Sequence, residues 1–93
     1  MSSPISFSIV KKIADNLGRA GALTTPHGVI ETPAFVTVGT KGTVKGLTPE
    51  QVALCGAQVV LANTYHLYLD PGDELVRQAG GLQTYMNWSG PTM

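Results

Sequence analysis

Apolar and polar positions change rhythm along this chain, and each change predicts an element. Over residues 5–10, Ile5, Phe7 and Ile9 alternate with Ser6 and Ser8, the period-two pattern of a strand with one buried face. Ala22-Leu23-Thr24-Thr25 and Val29-Ile30-Glu31-Thr32 flank Pro26-His27-Gly28, which predicts a hairpin with His27 exposed at its tip. Pro33 then opens the apolar run Ala34-Phe35-Val36-Thr37-Val38, and Ala57-Gln58-Val59-Val60-Leu61-Ala62 forms a second. Short, nearly unbroken apolar runs belong to parallel strands covered on both faces.

Between the two runs, Thr48-Pro49-Glu50-Gln51 marks a helix start, with Thr48 as N-cap, Pro49 at the first helical position and Gln51 completing a capping box. Val52, Leu54 and Cys55 supply its apolar face, and Gly56 stops it. Leu69-Asp70-Pro71-Gly72 predicts a turn. Residues 73–79 form a short helix with Asp73 and Glu74 in its first turn and Gly80-Gly81 after it, and residues 82–88 add another helical turn. Gly90-Pro91-Thr92-Met93 reads as the entry to a third strand that does not arrive.

Strand, helix, strand, helix in this order begins a parallel α/β structure. The expected fold class is α/β: an N-terminal hairpin plus the first two βα units of a (β/α)8 TIM-type barrel, incomplete as given, since a whole barrel needs about 250 residues. Residues 1–93 are accordingly expected to be the N-terminal part of one larger barrel domain. An autonomous small α/β domain is the weaker expectation, because so short a parallel core buries little apolar surface.

Such sheets bind ligands beyond the carboxyl ends of their strands. Asn63, Thr64 and His66 follow one apolar run, and Gly39-Thr40-Lys41-Gly42-Thr43 follows the other. Each has a plain alternative. Asn and Thr after a strand cap helices, a His there satisfies a backbone group, and a GTKGT stretch, which is not the GxxxxGK[ST] phosphate loop, serves as a strand-to-helix turn.

Composition adjusts this picture modestly. The 93 residues are 43% hydrophobic and 13% charged, against roughly 25% charge in an average domain, so much of the surface is expected to be covered. The net charge of +0 hides an asymmetry. Lys11, Lys12, Arg19, Lys41 and Lys45 dominate the first half, while Glu50, Asp70, Asp73 and Glu74 dominate the second. The cations fit either a weak phosphate-binding surface or an ordinary solvated face. Cys55, the only cysteine, is expected to be a small buried hydrophobe in a reducing compartment. With no run near the 18 apolar residues of a membrane span, a cytoplasmic chain is expected.

Several ordered blocks together resemble a known family. Arg19-Ala20-Gly21-Ala22-Leu23, the stretch from Thr25-Pro26-His27-Gly28 to Pro33-Ala34-Phe35, Val38 to Glu50, Asn63-Thr64-Tyr65-His66-Leu67, and Gly80-Gly81-Leu82 with Met86-Asn87-Trp88 look like the N-terminal third of a tRNA-guanine transglycosylase, the queuine tRNA-ribosyltransferase family. The resemblance runs from about Phe7 to Pro91. It implies a barrel enzyme, a pentosyltransferase, that exchanges an anticodon-loop guanine of tRNA for a 7-deazaguanine base such as preQ1 or queuine. In that mechanism a carboxylate attacks the ribose C1′ and a covalent RNA intermediate is captured by the new base.

By the same resemblance, Val38, Leu61 and Asn63 line the pocket beside the base site and Thr64 and His66 flank them; with Gly39 and Thr40 from the other strand end, these are the expected substrate-binding positions. The catalytic carboxylates and the Zn2+ ligands of the complete fold are expected beyond Met93, so no catalytic residue, metal ligand or cofactor is expected in this segment, and the segment alone is expected to be inactive. Lys45, Leu67, Tyr85 and Trp88 match regions that relatives bury in a homodimer contact, with a core role open for Leu67 and Trp88. A homodimer is expected of the full-length protein. The sequence departs from the family at Asp70, where Arg is common, at Ala62 in place of Gly, and at Val36-Thr37 in place of Met-Pro. The competing expectation is a non-catalytic truncated paralogue or partner subunit that docks on a full-length transglycosylase.

Overall fold

A computed structural model describes residues 3–93. The alternating N-terminal pattern becomes β1 (Ser6–Lys12), which pairs antiparallel with β2 (Arg19–Thr25), and β2 pairs antiparallel with β3 (Gly28–Thr32). The expected hairpin is therefore the second half of a three-stranded meander. Its turn is tied locally: the Thr25 hydroxyl donates to the Gly28 carbonyl at 2.7 Å, and the His27 amide donates to Thr25 Oγ1 at 3.2 Å. Gly21 lets Phe7 lie across β2, since a Cβ there would sit 2.5 Å from Phe7 Cζ. The half-buried face expected of the first strand is not covered, and every residue of β1 is exposed.

The second region is parallel. β4 (Thr37–Val38) and β5 (Val60–Leu61) run side by side, Thr37 opposite Val60 and Val38 opposite Leu61. Both strands are shorter than their apolar runs. Val59 and Val60 are 1% and 2% exposed, so the run is buried where β5 begins, while Leu61, on the opposite face from Val60, is half-buried. Phe35, by contrast, is 80% exposed, so the first run is only partly a buried strand.

The entry to a third strand expected at residues 90–93 forms along the free edge of β5. The Val60 amide donates to the Pro91 carbonyl at 3.2 Å, the Met93 amide to the Val60 carbonyl at 3.0 Å, and the Ala62 amide to the Met93 carbonyl at 2.9 Å. Thr92 forms a parallel bridge with Val60. β5 thus has partners on both edges.

Helices α1 (Pro49–Leu54), α2 (Thr64–Leu69), α3 (Asp73–Gln78) and α4 (Leu82–Met86) complete the chain. The capping box at α1 forms as read, with the Gln51 amide donating to Thr48 Oγ1 and the Thr48 amide donating to the Gln51 side chain. Its apolar face is narrower than expected. Val52 is buried, but Leu54 is 87% exposed and Cys55 is an exposed free thiol, because a helix of six residues turns only one narrow stripe inward. Val52 packs with Val60, Met86 and Trp88 in one core, and the Trp88 indole N–H donates to the Pro91 carbonyl at 2.9 Å. On α3, the Arg77 guanidinium holds the Glu74 carboxyl below its ordinary range, at a fully exposed site.

The two regions meet at Gln58, just before β5. The Glu31 amide donates to Gln58 Oε1 at 2.7 Å, and Gln58 Nε2 donates back to the Glu31 carbonyl at 3.0 Å. The meander is thereby fixed at the amino end of the parallel strands. Their carboxyl ends remain open.

Candidate functional site at the carboxyl rim

The chain brings the seven expected binding positions to neighbouring strand ends. The Gly39 amide donates to the Leu61 carbonyl at 2.7 Å, so Val38, Gly39 and Thr40 leave the sheet beside Leu61 and Asn63. Val38 and Leu61 are register partners. Since Val60 faces the helices, alternation turns both toward the opposite face, where Val38 is 55% exposed and Leu61 half-buried. They form a small apolar shelf.

Each polar position then shows its local role. Gly39 is buried, and a Cβ on it would lie 3.1 Å from Val60 Cγ1 and 3.3 Å from the Leu61 carbonyl oxygen. Its need for glycine is close strand packing. Thr40 is bridged to Thr43 across a turn in which Lys41 and Gly42 both take positive φ, 57° and 75°, the pattern of a type I′ turn. Asn63 is the N-cap of α2, and its side-chain oxygen accepts from the amides of Tyr65 at 2.9 Å and His66 at 3.4 Å. That cap leaves the Asn63 NH2 donors for another partner. Thr64 and His66 are exposed, and the His66 ring lies 5.8 Å from that of Tyr65, tilted by 58°.

Sequence reasoning missed one contact across the rim. Asp70, the departure from a common Arg, pairs with Lys41, Nζ to Oδ2 at 2.9 Å. Tyr85 Oη donates to the Lys41 carbonyl at 3.4 Å. The glycine turn after β4 is therefore tied to the loop after α2 and to α4. The signal was the opposite signs of Lys41 and Asp70, which the sequence separation concealed.

An apolar hollow lies elsewhere. It encloses about 190 Å³ on the helix side, among Val44, Leu47, Val52, Tyr85, Met86 and Trp88, and contains none of the seven rim positions. Of the expected interface residues, Leu67 and Trp88 are buried, Tyr85 packs partly against the core and Lys45 is exposed. No group of three His, Cys, Asp or Glu side chains among the described residues is placed to hold a metal ion. Among these residues, no helix is long and apolar enough to cross a membrane.

Comparison with known proteins adds the family. Residues 15–93 match the model of the family described as queuine tRNA-ribosyltransferase. The chain is 56% identical over 89 residues to the queuine tRNA-ribosyltransferase of Desulforudis audaxviator, with 96% of this chain and 24% of the relative aligned. It is 53% identical over 89 residues to that of Moorella thermoacetica, covering 96% of this chain and 24% of the relative. It is 54% identical over 90 residues to that of Desulforamulus reducens, covering 97% and 24%. The chain spans about a quarter of the length of the curated relatives it matches.

Proposed function

Because the chain belongs to the queuine tRNA-ribosyltransferase family, we propose that it forms the opening units of a barrel that exchanges an anticodon-loop guanine of tRNA for a 7-deazaguanine base, preQ1 or queuine. The observation that carries this reading is the junction of β4 and β5, where the Gly39–Leu61 hydrogen bond sets two strand ends and their loops at one rim. Parallel α/β folds bind substrates at that end.

In this reading residues 1–93 belong to one barrel domain, and the rim residues bind while other groups react. Val38 and Leu61 offer an apolar shelf to a ribose or base edge. Asn63, Thr40, Thr64 and His66 offer hydrogen-bonding groups around it. None of the seven is a carboxylate, and the first carboxylate after them, Asp70, is paired with Lys41. The attacking carboxylate and the covalent RNA intermediate are assigned to the longer protein, whose exchange proceeds by two displacements at the ribose C1′. The zinc of the complete fold is assigned to the longer protein, and no step here runs through it. The full-length protein is proposed to act in the cytoplasm as a homodimer.

A chimera tests this. The matching 89-residue segment of the Desulforudis audaxviator relative is replaced by its counterpart from this chain, and labelled guanine is supplied with tRNA. Exchange comparable with the parent is expected, and Val38→Arg in the active chimera should raise KM for tRNA more than it lowers kcat. A folded chimera without exchange, or a Val38→Arg variant with unaltered kinetics, would overturn the proposal.

A further inference from the structure

The far end of the meander concentrates positive charge that the rim does not use. β1 and β2 keep register from Ser6–Thr24 to Ile9–Gly21 and then shift, so that Lys11 faces Ala20 and Lys12 faces Arg19. Val10 is the extra residue of a β-bulge, a device that bends a strand and re-aims its side chains. Without the shift Lys11, and not Lys12, would stand opposite Arg19. As built, two cations are direct cross-strand neighbours, an arrangement that destabilises a bare sheet.

Around them lies an open hollow of about 510 Å³ lined by Lys11, Lys12 and Arg19 together with Ile13, Ala14, Ala20 and Pro33, with no acidic side chain among these. Neither ion pair found among the described residues involves the three cations. Asp15, in the adjoining turn, forms no ion pair with them among those residues. Arg19 is held in place by stacking over the Phe7 ring, 5.6 Å from its centroid. Three cations lining one hollow, none of them in an ion pair among the described residues, favour an anion of extended shape.

We propose that Lys11, Lys12 and Arg19 form a phosphate-backbone contact for RNA, separate from the carboxyl rim. The choice of tRNA as the RNA rests on the function proposed above, while the chemistry of the contact does not. Contacts of this kind position a nucleic acid without reading its sequence. Their signature is salt dependence, since each neutralised phosphate releases counterions.

The test measures equilibrium binding of an unmodified tRNA transcript to the 93-residue chain across a salt series. Lys11→Gln, Lys12→Gln and Arg19→Gln are introduced together, with Lys45→Gln as a control outside the hollow, and circular dichroism verifies that each variant folds. The triple variant is expected to lower the slope of log affinity against log salt by about three, one per phosphate contact, with the control unchanged. An unchanged slope in the triple variant, or no binding of the transcript by the parent chain, would overturn the proposal. Inorganic phosphate titrated alone should bind weakly. Saturable binding of it, abolished by the three substitutions and unaccompanied by RNA binding, would reassign the hollow to a free anion and overturn the RNA contact. Binding is read without exchange, so this outcome is decided even if the chimera above is inactive.

Discussion

The meander and the parallel region divide hydrogen bonding and burial in opposite ways. β1 and β2 are the longest elements in the chain, seven residues each, yet β1 is exposed throughout. Among the described residues, Ile30 is the one buried hydrophobic of the meander. The parallel region is made of two-residue strands and helices of five or six residues, and it holds Val52, Val59, Val60, Leu67, Met86 and Trp88. A long ladder organises the backbone without removing much apolar surface from water. Burial is the larger source of stability, so the short elements carry the fold.

The largest expected effect breaks the parallel side. Trp88→Ala removes a core indole and its hydrogen bond to the Pro91 carbonyl, and changes of this type cost about 3–5 kcal/mol. Thermal melting followed by far-ultraviolet circular dichroism should show the loss. The tie between Pro91 and Val60 should open with it.

A smaller effect is expected at the rim. Asn63→Ala deletes the acceptor for two amides of α2, a cap worth about 1 kcal/mol. Melting should register that loss, and in the active chimera the KM for tRNA should rise as well if the Asn63 NH2 group binds RNA. A melting loss with unchanged kinetics would restrict Asn63 to capping, which would sharpen the contrast between rim and core.

What the sequence revealed follows the range of the interactions. The α1 capping box and the turn at Pro26-His27 are closed by residues within three positions, and both were legible. Val59 and Val60 were legible because two successive β-branched residues in an apolar run suit a strand covered on both faces. The strand entry at 90–93 was legible as well, but its partner β5 was not, because parallel pairing joins distant residues and Pro91 lacks an N–H. Its carbonyl is nonetheless an acceptor for Val60. Leu54, Cys55 and Phe35 misled because apolar composition does not state which side of a short element turns inward. Gln58, the polar member of an apolar run, clasps both backbone groups of Glu31, a role the run did not announce.

At the site, the ends of the two parallel strands were legible, and the structure sets them side by side. Their local roles were less so. Asn63 and Gly39 show backbone and packing duties that any ligand role must share. The Lys41–Asp70 tie was invisible for the same reason as the pairing of residues 91–93 with β5, since its partners are remote in the chain.

Native-state hydrogen exchange of the 93-residue chain tests most directly the claim that burial and not ladder length holds this molecule together. The amides of Gly39, Val60 and Ala62, which bond within the short parallel region, are expected to exchange more slowly than the amides by which β1 pairs with β2. Slower exchange in β1 than at Val60 and Ala62 would contradict that claim, and would make the exposed meander the stable platform of the chain.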